Sequence, residues 1–255
     1  MENLGHLALL LAAAFAAGAL NAVAGGGSFL TLPALVFTGV PPVVANATGT
    51  VALLPGYMAG AWGFKDDMAA PPGLSMKQVV VLSLIGGSAG AALLLFTPDA
   101  TFRKVVPWLL LAATAMFAFG PQLRAWASRK TADTDAVPSI AKAAVGMLVV
   151  AIYGGYFNGG LGILLLALFG LLGQTQLNAM NGMKNLVSAL LTAIAVVIYA
   201  VGGIVEWKQA LIMMVAATLG GYLGARVARK IPAHIMRWGI VATGLVMAGL
   251  FFAKG

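Results

Sequence analysis

Two stretches of this chain are apolar enough for a bilayer interior yet too short to cross one, and they limit the fold more than any other feature. The first lies in NGGLGILLLALFGLLGQTQLNAMNGMKN, residues 158–185. Its run from Gly162 to Leu172 ends at Gly173-Gln174-Thr175-Gln176 before apolar sequence resumes at Leu177, whereas a helix needs about 20 apolar residues to span the hydrocarbon. The second lies in AGGGSFLTLPALVFTGVPPVVANATGTVALLP, residues 24–55, where the run from Leu30 to Val40 is broken by Pro41-Pro42. Each reads as a helical hairpin that dips into a membrane and turns inside it. Irregular backbone at that depth survives only where protein buries it or it lines a wet cavity.

The other runs are long. Spans are predicted over 4–23, 44–63, 77–96, 105–120, 139–157, 177–201, 208–226 and 236–253. With 61% hydrophobic residues, 9% charged residues and a mean hydropathy of +0.96, the chain is expected to be an all-α polytopic membrane protein. A β-barrel would show alternating segments of about ten residues instead. The net charge of +8 does not point to nucleic acid, because the basic residues are scattered among connecting loops, where the positive-inside rule places them. There is no cysteine, hence no disulfide, thiol catalysis or Cys-based metal site. Leu4 to Leu20 and Ala22-Val23-Ala24 have the look of a signal peptide, but Met1-Glu2-Asn3 lacks the positive n-region, so the segment is read as a retained first span.

The halves repeat. Gly86-Gly87-Ser88-Ala89-Gly90-Ala91 matches Gly220-Gly221-Tyr222-Leu223-Gly224-Ala225, and the same spacing pairs Arg103 with Arg237. Asn46-Ala47 matches Asn178-Ala179, and Gly27 matches Gly159 at that second, nearly equal spacing. The expected organisation is a first membrane repeat over 1–120, a cytoplasmic linker over 121–138 and a second repeat over 139–255. Five segments per half, each half with one broken or re-entrant hairpin, invert the second copy relative to the first. The basic stretches 121–142 and 226–237 then face the cytoplasm, and both termini face the periplasm. An inverted repeat with short, Gly/Pro-broken helices in matching places is the pattern of a secondary transporter with its site at the midplane.

All seven carboxylates, Glu2, Asp66, Asp67, Asp99, Asp133, Asp135 and Glu206, fall in loops or termini. A cation carrier or proton pump places such groups inside the membrane, so neither a metal-ion substrate nor a carboxylate proton relay is expected. The hairpins offer donors instead. Half-helix N-termini favour anions. Gly25, Gly26 and Gly27, and likewise Gly159 and Gly160, let backbone approach a ligand closely. Ser28, Asn46, Thr48, Asn158, Asn178, Asn181 and Asn185 can each donate a hydrogen bond. Lys184 adds a full charge, which costs about 2.5–3.5 kcal/mol at a helix centre and which a bound anion would offset. Together these residues describe a site for a small organic or inorganic anion, with no cofactor or metal. Plainer roles stand beside this one: glycines that let helices pack closely, Asn46 and Asn178 as N-caps, and Lys184 snorkelling to the interface. His6, His234 and the tryptophans fit interfacial positions.

The quoted glycine-rich stretch at 24–50, with Leu32-Pro33 and the Ala/Thr-rich helix after the break, resembles the N-terminal signature of the sulfite exporter TauE/SafE family of bacterial inner-membrane proteins. GGSAGA and GGYLGA resemble that family's repeated GGxxGA element. The second copy departs from the first, since Asn158 stands where a third glycine would be and nothing matches Pro33. The resemblance implies a transporter, usually an exporter, of small sulfur-containing or carboxylated anions such as sulfite or sulfoacetate. An anion channel of the same architecture, an intramembrane hydrolase pairing Ser28 with Lys184, and a non-transporting assembly subunit are the alternatives. The partners expected are the anion and the lipid bilayer, without nucleic acid, for a chain acting alone or as a homo-oligomer.

Overall fold

The computed structural model describes residues 4–23, 25–132, 139–228 and 233–254, and among them the chain forms helices and no strand. In order these are α1 (Leu4–Val23), α2 (Ser28–Phe37), α3 (Pro42–Gly63), α4 (Met76–Leu95), α5 (Asp99–Ala132), α6 (Ile140–Tyr156), α7 (Leu161–Leu171), α8 (Leu177–Val201), α9 (Trp207–Ala228) and α10 (Ala233–Lys254). Stretches in α1, α4, α5 and α8 are each long and apolar enough to cross a bilayer alone. The chain is an all-helical multi-pass membrane protein. Polar residues between the runs work as caps. Ser75 and Gln78 form a reciprocal capping box at the start of α4. Asp99 accepts from the Val43 N–H at 2.9 Å, satisfying a donor that Pro41-Pro42 leaves free at the start of α3.

The expected span over 105–120 belongs to a longer helix. α5 continues through 121–132, so the first part of the polar stretch is helical, while 133–138 lies outside the described residues. The basic stretch 226–237 likewise falls partly outside them, at 229–232.

Side-chain contacts fix which helix ends lie together. His6 of α1 meets Phe37 of α2 edge-on, and Trp108 of α5 meets Phe252 of α10. The Thr48 hydroxyl accepts from the Glu206 N–H before α9. These groups, with Asp99, define a proximal end that holds the start of α1 and the end of α10. At the distal end, the Gln174 amide donates to the Ala69 carbonyl, and Gly182 packs on Phe64 and Met68.

At 1.5 Å per residue, α2 is about 15 Å long and α7 about 16 Å. α2 starts deep in the protein, where Gly27 abuts the Ala17 carbonyl and Leu53, and returns to the proximal end. α7 starts equally deep and returns to the distal end. The interior turns are therefore the glycine segments after α1 and α6. The polar break Gly173-Gln174-Thr175-Gln176, expected as the buried turn, lies at the distal end instead, with Thr175, Gln176, Leu177 and Asn178 exposed. Those polar side chains are solvated at the face of the bundle, whereas glycine is what a tight buried turn requires.

The two halves interlock. α1 packs along α9, and α6 along α4. A side chain at Gly18 would overlap the Ala217 carbonyl, one at Gly220 the Phe15 carbonyl, and one at Gly90 the Ile152 carbonyl. The glycines of the matched GGxxGA elements thus bring backbones together. α3 crosses α8, and α5 lies against α10. Exchanging α1–α5 for α6–α10 reproduces these pairings: α3 with α9 answers α4 with α8, and α2 with α10 answers α5 with α7.

Candidate substrate site

The two interior breaks meet. Gly25 has φ +72° and Gly160 φ +74°, left-handed conformations that only glycine adopts without strain. A Cβ at Gly25 would lie 3.3 Å from the Gly162 Cα, so the start of α7 lies against the α1–α2 turn. Neither α2 nor α7 has a side-chain cap at its N-terminus. Among the described residues, the N–H groups of Gly26, Gly27 and Ser28, and those of Gly159, Gly160 and Gly162, find no acceptor. Two helix starts with unsatisfied donors and positive dipole ends therefore converge inside the protein.

Polar side chains from five helices and from the α6–α7 break wall this junction. The Tyr57 hydroxyl of α3 donates to Asn158 Oδ1 at 3.0 Å, and Asn158 Nδ2 donates to Thr192 Oγ1 of α8 at 3.3 Å. Asn21 of α1 is buried nearby, its Nδ2 3.9 Å from where a Cβ on Gly56, next to Tyr57, would lie. The Tyr153 hydroxyl donates to the Gly159 carbonyl, and Tyr199 to the Gly155 carbonyl at 2.6 Å. These bonds fix the break between α6 and α7. Around the first break, Asn21 Oδ1, Ser28 Oγ and Thr31 Oγ1 are buried and bond to no protein group. No carboxylate is buried among the described residues: Asp66, Asp67, Asp99 and Glu206 are all exposed at the ends.

Of the residues singled out by sequence, Gly25, Gly26, Gly27, Ser28, Asn158, Gly159 and Gly160 come together at this junction. Asn46 and Thr48 lie nearer the proximal end and are engaged: Asn46 Nδ2 donates to the Tyr156 carbonyl at 3.1 Å, and Thr48 holds the Glu206 N–H at 3.0 Å. Asn178 is exposed at the distal end, Asn181 is half-buried, and Asn185 is half-buried against Gly60. Lys184 is only 3% exposed and forms no ion pair or hydrogen bond among the described residues. It shares one face of α8 with Ser188 and Thr192, both buried. That face leads from Lys184 to the partner of Asn158, over about 12 Å of helix. Asn21, Tyr57, Ser188 and Thr192 were not singled out by sequence; the i, i+4, i+8 spacing of Lys184, Ser188 and Thr192 is the one signal that points to the last two.

A bundle of membrane-spanning helices, with two broken helices whose starts converge on a buried, carboxylate-free polar junction, defines a transporter-type integral membrane protein. Its sequence relatives agree. The chain belongs to the sulfite exporter TauE/SafE family, which matches residues 10–251. It is 30% identical to a probable membrane transporter protein of Haemophilus influenzae, over 94% of this chain and 92% of that protein. It is 26% identical to the probable membrane transporter protein ORF9 of a Sinorhizobium species, over 95% and 90%. It is 25% identical to the probable membrane transporter protein YfcA of Escherichia coli K12, over 95% and 88%. No solved structure matches it. The protein is a membrane transporter.

Proposed function

We propose that this transporter is a secondary carrier of the bacterial inner membrane that exports a small organosulfur or sulfite-type anion by alternating access. The observation that carries the reading is the contact of the turn that leads into uncapped α2, at Gly25, with the start of uncapped α7, at Gly162. Such ends point donors at anionic groups, and no carboxylate buried among the described residues opposes them. An oxyanion at the junction takes backbone N–H groups from Gly26 and Gly27, beside Gly25, and from Gly159 and Gly160, with Ser28 and Asn158 as side-chain donors. Asn46 and Thr48 line the approach from the proximal end. Asn178, Asn181, Lys184 and Asn185 line the approach from the distal end, and Lys184 supplies the charge that draws the anion inward.

The exchange-symmetric helix pairing, with α2 returning to one end and α7 to the other, supports an inverted repeat. Two such halves rocking about the junction expose it to each side in turn. An inside-negative potential drives anion exit by about 2.3 kcal/mol per charge per 100 mV, so export needs no buried proton carrier. The test is flux of labelled sulfite and sulfoacetate in liposomes holding the purified protein. Saturable flux with trans-stimulation by unlabelled anion, lowered by Asn158→Ala, is the expected result. Flux that never saturates and shows no counterflow would replace the carrier by a channel. No flux of any oxyanion would remove the anion reading.

A further inference from the structure

Away from the junction, at the proximal end, α2 and α10 enclose an apolar groove with one cation at its rim. Pro33, Val36 and Phe37 of α2 face Met247, Leu250 and Phe251 of α10 across a cavity of about 100 Å³, and Arg103 of α5 closes one side. Phe37 is 68% exposed and Leu250 48%, so the groove opens laterally, towards where lipid lies around a membrane protein. Arg103 has a natural partner one turn earlier, Asp99, at the i, i+4 spacing that favours an ion pair. That carboxylate accepts from the Val43 N–H through Oδ1 and makes no ion pair with Arg103. Arg103 forms no ion pair or hydrogen bond among the described residues, and exposed Lys104 beside it adds a second positive charge.

We propose that this groove binds one phospholipid with an anionic head group, its phosphate on Arg103 and an acyl chain along α2 and α10. The pairing of chemistry is specific. An apolar slot takes the chain, a planar guanidinium that no carboxylate pairs takes a phosphate bidentately, and Lys104 beside it adds to the preference for an anionic head group. The lipid rests on α2, the short helix whose other end carries Ser28 at the junction.

The test uses the full-length purified protein in detergent. Phosphatidylglycerol, phosphatidylcholine and inorganic phosphate are titrated separately, with bound lipid counted by native mass spectrometry and melting followed in parallel. The wild type retains phosphatidylglycerol about five-fold more tightly than Arg103→Gln, the worth of one arginine at an anionic head group. Leu250→Trp, which fills the slot and leaves the charge, lowers retention as well, while Lys77→Gln at the distal end does not. Lipid-free melting of each variant identifies any folding defect. Equal retention by Arg103→Gln and wild type overturns the proposal. So does equal retention of phosphatidylcholine, or displacement of the lipid by inorganic phosphate, which would make the site one for a free anion.

Discussion

The Tyr57–Asn158–Thr192 chain offers the sharpest test of the junction, because it joins both halves through one buried residue. Asn158→Ala deletes both of its hydrogen bonds. Each is worth about 1 kcal/mol net, and stranding a buried hydroxyl adds about 1–3 kcal/mol. The expected loss is therefore about 3–5 kcal/mol. Tyr57→Phe removes one bond and leaves Asn158 Oδ1 unpaired, for about 1–2 kcal/mol. In the double variant the shared bond is lost once, so its cost falls short of the sum by about 0.5–1.5 kcal/mol, the range found for hydrogen bonds between membrane helices. The measurement is unfolding in mixed micelles titrated with sodium dodecyl sulfate and followed by circular dichroism. Costs that add to within roughly 0.3 kcal/mol would mean that the two residues do not share a bond, and the account of the junction would fall with it.

Other residues make separate demands. Lys184→Met removes a buried, unpartnered cation, so the protein should become more stable by about 1–3 kcal/mol while anion flux drops; unchanged flux would sever Lys184 from the substrate. Gly25→Ala and Gly39→Ala both force a left-handed residue, φ +72° and +95°, each costing about 1–2 kcal/mol. Gly39 has open space around it, so melting should fall in both variants and flux only in Gly25→Ala. Gly220→Val drives a side chain into the Phe15 carbonyl and should leave little folded protein on size-exclusion chromatography, whereas Gly249→Val, with nothing nearby, should elute as wild type.

The helices were legible because hydropathy counts length. The run 177–201 is α8 to the residue, and the short runs at 30–40 and 162–172 are α2 and α7 within a few residues. Hydropathy does not say which end of a short helix is deep. Polar residues at Gln174–Gln176 interrupt an apolar run equally well at a face or at the midplane, so the buried turn was placed at the wrong end of α7. Charge does not terminate a helix either, which is why α5 runs on through Arg124 and Arg129 to Ala132. The glycines and Asn158 were found because they sit at breaks. Asn21, Tyr57 and Thr192 were missed because they come from three helices, and only packing makes them neighbours. Asn46 and Asn178 occupy matching sequence positions, yet one is buried and bonded while the other is exposed; a repeat in sequence does not fix the surroundings of each copy.

The pairing of α1 with α9 has a consequence for how the protein is made. The groove that receives Gly18 is built from Ala217 and Gly221, and Gly220 in turn closes on Phe15. The first helix therefore leaves the ribosome about 200 residues ahead of its partner. At roughly 5–20 residues per second it waits on the order of 10–40 seconds with its small-residue stripe facing lipid or a membrane chaperone. The partner of α6, by contrast, is already inserted when α6 appears. Assembly is thus lopsided in time: α6 can dock on α4 as it emerges, and α1 can be clasped only when synthesis is nearly complete. A chain that stalls before α9 presents an unclasped N-terminal helix, a natural mark for membrane proteases to read.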